Sequence, residues 1–118
     1  MDILIADDDR EVRTTLEKFL TRRKHRLRVA KNGADAHQLI DETEPDLVIS
    51  DVRMPEMDGI ELRKEVNEHH PEVPVILITG HGSPETEEAA RLYRARGYLK
   101  KPLDLGNLLE KIEGIELE

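Results

Sequence analysis

Five short apolar blocks alternate with longer stretches in which apolar residues recur every three or four positions. The blocks are Ile3-Leu4-Ile5-Ala6, Leu27-Arg28-Val29-Ala30, Leu47-Val48-Ile49-Ser50, Val75-Ile76-Leu77-Ile78-Thr79 and Gly97-Tyr98-Leu99-Lys100. The first, third and fourth are continuous rather than alternating, as expected for strands covered on both faces of a parallel sheet. Val12, Leu16, Phe19 and Leu20 form one apolar helical stripe. Ala36, Leu39 and Ile40 repeat the pattern after Asn32-Gly33, and Ile60, Leu62 and Val66 follow Asp58-Gly59. Ala89, Leu92 and Tyr93 follow Ser83-Pro84, a cap residue with proline in the first helical position. Leu105, Leu108, Leu109 and Ile112 follow the cap candidate Asp104. The resulting order, βαβαβαβαβα, predicts an α/β fold: a doubly wound parallel sheet with helices on both faces. No linker, repeat or low-complexity segment interrupts it, so residues 1–118 read as a single domain.

Composition narrows the function. Charged residues make up 37% of the 118 positions and aromatics 3%, a balance compatible with disorder. The regular apolar blocks argue against that reading; heat adaptation is a second reading of the charge excess. The formal net charge is −8, the wrong sign for direct nucleic-acid binding. Cysteine is absent, which excludes a disulfide scaffold, a zinc ribbon and a thiol enzyme and fits a cytoplasmic protein. No apolar run approaches the roughly 20 residues of a membrane helix, and no basic segment precedes a leader core.

In a doubly wound sheet, ligands bind beyond the carboxyl ends of the strands. The polar residues at those ends are Asp7-Asp8-Asp9, Asp51, Thr79 and Lys100-Lys101-Pro102. Several carboxylates, a hydroxyl and an ammonium are therefore expected on one rim. Crowded carboxylates repel one another unless a cation neutralises them, and oxygen donors without His or Cys select Mg²⁺ or a similar hard ion. An ammonium and a hydroxyl suit phosphoryl oxygens. A carboxylate can also attack phosphorus to give an aspartyl phosphate. The residues thus predict a Mg²⁺-dependent phosphoryl-acceptor site with Asp51 as acceptor.

The sequence resembles the receiver domain of two-component response regulators. The resemblance rests on Leu4-Ile5-Ala6-Asp7-Asp8-Asp9, Pro45-Asp46-Leu47-Val48-Ile49-Ser50-Asp51, Met54-Pro55-Glu56-Met57-Asp58-Gly59, Ile78-Thr79-Gly80-His81-Gly82 and Tyr98-Leu99-Lys100-Lys101-Pro102. It covers essentially the whole chain, in order and at family spacing. It implies a flavodoxin-like sheet of order 2-1-3-4-5. Asp51 resembles the phosphorylated residue, Asp8 the direct metal ligand, and Asp7 an acid acting through water. Arg53 resembles the position whose backbone carbonyl reaches the metal. Thr79 resembles the switch hydroxyl, Lys101 the lysine paired with the phosphoryl group, and Tyr98 the aromatic that moves inward when the hydroxyl turns. The resemblance also implies a cis Lys101-Pro102 bond. Side chains alternate along a strand, so Lys100 is expected to face elsewhere.

The implied partners are a sensor histidine kinase or phosphotransfer protein upstream, and a downstream protein or an output domain beyond these residues. Phosphorylation is expected to act on the surface of the fourth helix, fifth strand and fifth helix, which is also where a homodimer is expected if one forms. The implied activity is self-catalysed phosphotransfer and autodephosphorylation, not conventional enzymology. No DNA-binding helix-turn-helix or ATPase segment is present, so the alternatives are a single-domain regulator or the receiver of a larger transcriptional regulator. A phosphohydrolase of the haloacid dehalogenase type also forms an aspartyl phosphate, but its nucleophile follows the first strand. A flavodoxin is disfavoured because the first loop is acidic, and a receiver that works without phosphorylation because the expected site residues are all present.

Other polar residues read differently. Asp9 is expected to cap a helix, His81 to be solvated in a loop, and His69-His70 to mark a helix end. Arg22-Arg23-Lys24-His25-Arg26 reads as a solvated helix C-terminus, where cations are favoured, with a docking patch as the minority reading. One departure from the family concerns Arg94-Ala95, where Gly-Ala is frequent. Glycine there serves a left-handed helix cap, so the departure bears on local geometry and not on the site.

Overall fold

The computed structural model describes residues 1–54 and 56–118; Pro55 of the Met54–Gly59 motif lies outside the described residues. The strands are β1 (Asp2–Ala6), β2 (Arg26–Ala30), β3 (Leu47–Asp51), β4 (Val75–Thr79) and β5 (Gly97–Lys100). The helices are α1 (Arg10–Thr21), α2 (Gly33–Thr43), α3 (Gly59–His69), α4 (Pro84–Leu92) and α5 (Leu105–Glu116). All strand pairs are parallel, and the sheet order is β2-β1-β3-β4-β5. The expected order is therefore present, with β1, β2 and β3 each one residue longer than their apolar blocks.

Alternation along the strands divides the core in two. Leu4, Ala6, Val48, Val75 and Leu77 face α2, α3 and α4, meeting Ala36, Ile40, Leu62, Val66 and Ala90. Ile3, Ile5, Leu47, Ile49, Ile76 and Ile78 face α1 and α5, meeting Leu16, Leu20, Leu108 and Ile112. Strands β3 and β4 are buried throughout, which is why their sequences run continuously apolar. Each fully buried Leu or Ile contributes about 1.5–3 kcal/mol of transfer free energy.

The helix starts follow their caps. Asp9, Asn32, Asp58, Ser83 and Asp104 each accept a hydrogen bond from a first-turn amide. In α4, however, the predicted stripe of Ala89, Leu92 and Tyr93 is not the buried face: Ala90 is buried and Leu92 is 68% exposed. The inward line runs Thr86, Ala90, Tyr93, and its first member is polar. The Thr86 hydroxyl is satisfied by Ser83 and Tyr98, so hydropathy alone hides it.

A buried arginine closes the other end of α4. Arg63 is 4% exposed and donates to the carbonyls of Tyr93 (2.7 Å), Arg94 (3.1 Å) and Val73 (3.3 Å). Burial and the charge of Arg96 lower its pKa. Its cation sits at the negative end of the α4 dipole and occupies carbonyls that the helix leaves unpaired. Arg94 adopts φ 58°, the left-handed conformation that glycine would take. The cap geometry thus survives the departure from Gly, at a steric cost of roughly 1–2 kcal/mol for a residue with a Cβ. Since the Arg94 side chain is exposed, Arg94→Gly is expected to stabilise the fold by about 0.5–1 kcal/mol in urea denaturation, the steric relief exceeding the entropy of a freer unfolded chain. A loss of stability would show that the arginine side chain, and not the backbone, holds this turn.

Candidate phosphoryl-acceptor site

Parallel register sets the geometry. Ala6 pairs with Ser50, so the next residues, Asp7 and Asp51, leave adjacent strands at the same level. Asp51 pairs with Ile78, and Thr79 with Lys100, which brings the ends of β4 and β5 to the same rim. The carboxylates of Asp7, Asp8 and Asp51 each offer an oxygen within 4.8 Å of the others. Asp7 and Asp51 are buried, whereas Asp8 is exposed.

One cation lies between the two buried acids. Lys101 Nζ is 3.1 Å from Asp7 Oδ2 and 3.2 Å from Asp51 Oδ2. Only the Asp51 contact has hydrogen-bond geometry; Asp7 Oδ2 is in ion-pair range of the ammonium but accepts no hydrogen bond. Asp7 Oδ1 accepts from the Asp9 amide at 2.8 Å. Lys100 is exposed, as alternation requires, and the Lys101–Pro102 peptide is cis.

Electrostatics follow from this crowding. Burial raises the Asp7 pKa from 3.8 to about 6, the charge of Asp51 adds to the rise, and the Asp9 amide and Lys101 oppose it. Burial works against the Lys101 ammonium, but hydrogen bonding and attraction from Asp7 and Asp51 outweigh it and raise its pKa. A buried carboxylate oxygen without a hydrogen bond, beside two further carboxylates, is the donor set of a hard divalent cation. The residues present therefore fit Mg²⁺.

The remaining site residues occupy the surrounding loops. Thr79 is 1% exposed, and its Oγ1 accepts from the His81 amide at 3.1 Å. Arg53 directs its amide toward Asp51 Oδ1 at 3.4 Å, just beyond a good hydrogen bond. The Tyr98 hydroxyl lies 2.8 Å from Thr86 Oγ1. Sequence reasoning missed Thr86 as the partner of Tyr98, although the Ser83-x-x-Thr86 spacing of a capping box was legible. Asp9 caps α1 through Glu11 and takes no part in the acidic cluster. His81 is exposed. A groove of about 510 Å³ borders the rim, lined in part by Val12, Thr15, Pro102, Leu103 and Leu105.

Residues 3–113 match the family model of the response regulator receiver domain. The chain belongs to the response regulator receiver domain family. This receiver domain is 41% identical over 108 residues to the transcriptional regulatory protein ZraR of Klebsiella oxytoca, covering 92% of the chain and 24% of that relative. It is 35% identical over 112 residues to the DNA-binding transcriptional regulator NtrC of Proteus hauseri, covering 95% of the chain and 24% of the relative. The receiver domain thus spans about a quarter of the length of these relatives. A CheY-like receiver domain protein from Methanospirillum hungatei superposes with TM-score 0.92 at 28% identity, covering 98% of this chain and 93% of that one. A response regulator structure from Chloroflexus aurantiacus gives TM-score 0.90 at 32% identity over 99% and 98% of the two chains.

The raised Asp7 pKa makes the stability of the receiver domain pH-dependent. Because the folded value exceeds the unfolded one, the folded state holds the extra proton between pH 4 and 6. That contribution is complete below pH 4 and lost as pH rises through 6. With a chelator present, Asp7→Asn is expected to stabilise the protein by on the order of 1–3 kcal/mol at pH 7, the gap closing toward pH 4. Urea denaturation across that range measures it; a constant difference would locate the cost outside Asp7 ionisation.

Proposed function

We propose that this receiver domain accepts a phosphoryl group on Asp51 from a phosphohistidine of a sensor histidine kinase or phosphotransfer protein, and that the product alters a protein-binding surface. The observation that carries this reading is the Lys101 ammonium held between Asp7 and Asp51, with the Asp8 carboxylate beside them. Three acids and one mobile cation at a partly open rim suit charge transfer at phosphorus better than they suit stability.

An Asp51 carboxylate oxygen attacks phosphorus while the phosphorus–nitrogen bond of the donor breaks. The bonding pair leaves with the imidazole, which takes up a proton, and Asp51 becomes an acyl phosphate. Lys101 exchanges part of its contact with Asp51 for a phosphoryl oxygen. Thr79 exchanges its bond with the His81 amide for a bond donated to the phosphoryl group. Mg²⁺ held by Asp7, Asp8, Asp51 and the backbone carbonyl of Arg53 would neutralise the phosphoryl oxygens. Attack by water on phosphorus later restores the carboxylate and releases inorganic phosphate. The work of the protein is positioning and charge neutralisation, a self-catalysed step and not turnover of a free substrate.

The groove along α1 and the segment after β5 suits the donor, since it opens beside Lys101. The output surface is α4, β5 and α5, where Tyr98 and the exposed Leu92 lie; a homodimer would use the same face. Residues 1–118 act as one domain in the cytoplasm, in this reading. The DNA-binding and transcriptional relatives favour the receiver of a larger transcriptional regulator over a single-domain protein, with nucleic-acid contacts belonging to an output domain.

Incubation with Mg²⁺ and acetyl phosphate is expected to add one phosphoryl group on Asp51, read by mass spectrometry. Equal labelling of Asp51→Asn would overturn the assignment. Lys101→Ala is expected to abolish the phosphorylation-induced NMR shifts of α4, β5 and α5, whereas Lys100→Ala leaves them nearly intact. The reverse pattern would place the acting ammonium on Lys100.

A further inference from the structure

Three of the 5 histidines gather far from the acidic rim, where α2 and α3 pack together. His37 and Asp41 are one turn apart on α2; Glu65 and His69 are one turn apart on α3, and His70 follows as its cap. Helices in this fold start near the strand carboxyl ends and run back across the sheet. His69 and His70 therefore stand at the end of the molecule opposite Asp51.

The distances separate two kinds of contact. His70 Nε2 lies 2.8 Å from Asp41 Oδ1, a hydrogen bond that lowers the Asp41 pKa. Glu65 Oε2 lies 3.4 Å from His69 Nε2 and 3.8 Å from His37 Nε2. Both exceed the roughly 2.7–3.2 Å of an N–H···O bond. They approach a different spacing: donors bound tetrahedrally at about 2.0–2.2 Å from one zinc ion stand roughly 3.3–3.5 Å apart. A ligand atom of Glu68 lies within 4.8 Å of ligand atoms of Glu65 and His69.

We infer that His37, Glu65 and His69 form a second metal site, for a borderline divalent ion such as Zn²⁺, with Glu68 or water completing the coordination. Imidazole nitrogens mixed with carboxylate select such an ion, whereas the all-oxygen rim at Asp7, Asp8 and Asp51 selects Mg²⁺. The ligands come from two helices, so the ion staples α2 to α3. Their side chains are 32%, 35% and 57% exposed for His37, Glu65 and His69, leaving an open route for the ion. Asp41 stands 4.0 Å from His37 Nε2 and keeps His70 engaged, which leaves His37 and His69 as the free imidazoles of the cluster. The inference is independent of the phosphoryl-acceptor reading.

The test titrates Zn²⁺ into the chain in excess Mg²⁺, with a chromophoric chelator as competitor. One zinc equivalent is expected to bind and to raise the thermal midpoint. His37→Ala and His69→Ala are each expected to weaken binding at least tenfold and to abolish the thermal shift. His81→Ala, at an exposed loop position, is expected to change affinity less than twofold. All these substitutions are outside the fully buried core, and circular dichroism checks their folding. Absence of zinc uptake in Mg²⁺, or equal affinity in the wild type and both α2 and α3 variants, would overturn the site and leave ordinary histidine–carboxylate contacts. Loss in His81→Ala alone would overturn it as well, placing the ion in the loop after β4.

Discussion

Two carboxylates that repel each other, Asp7 and Asp51, are held side by side at the ends of adjacent buried strands, and one ammonium keeps them there. The strands leave them no escape, because β1 and β3 are pinned in register by their backbone pairs and by apolar side chains on both faces. The rim therefore stores unfavourable charge, visible in the raised Asp7 pKa, and Lys101 offsets part of it. Any cation or phosphoryl group that enters changes this balance directly. A site of this kind responds to charge because it is not at electrostatic rest.

The surrounding helices are fitted closely to the same rim. A Cβ at Gly59 would sit 2.2 Å from the Asp51 carbonyl oxygen, so the start of α3 touches the acceptor strand backbone with no room to spare. A Cβ at Gly33 would lie 1.8 Å from the Met57 carbonyl oxygen, which binds the start of α2 to the loop before α3. The amide of Gly59 also donates to Val52 at 2.7 Å. Side chains at either position would force the backbone apart, since close-packed interiors relax only partly. The loop that follows Asp51 is thus fixed by two glycines, and the His37–His69 cluster lies farther along the same two helices.

Much of this was legible in the chain. Continuous apolar blocks marked β1, β3 and β4 because those strands are covered on both faces, and the caps Asp58, Ser83 and Asp104 marked helix starts because their side chains replace missing backbone partners. The acids, Thr79 and Lys101 could be collected because strand carboxyl ends converge in any parallel sheet. Less was legible where long-range contacts decide. Arg63 reads as a surface cation, yet it is buried by three carbonyls more than ten residues away or at the next helix end. The inward face of α4 was misread because Thr86 is polar and its partner Tyr98 comes from another element. Histidines 37 and 69 sit on different helices, and their common carboxylate became visible only once α2 lay against α3.

Thr79 and Tyr98 link the rim to the far side of β5. Thr79 is committed to the His81 amide, and Tyr98 to Thr86, so both hydroxyls have partners in the loop that leads into α4. A Cβ at Gly82 would lie 3.0 Å from the Tyr98 hydroxyl and 3.5 Å from Thr79 Cγ2, so this loop is packed against both side chains. Drawing Thr79 toward Asp51 breaks the His81 bond and removes a methyl group from that packing. The loop must then shift, and Tyr98 loses the geometry that ties it to Thr86. Two hydrogen bonds of about 1 kcal/mol each are a small barrier, within reach of the charge that a phosphoryl group adds at the rim. The exposed surface of α4 and β5 can therefore follow chemistry at Asp51 without any rearrangement of the five-stranded core.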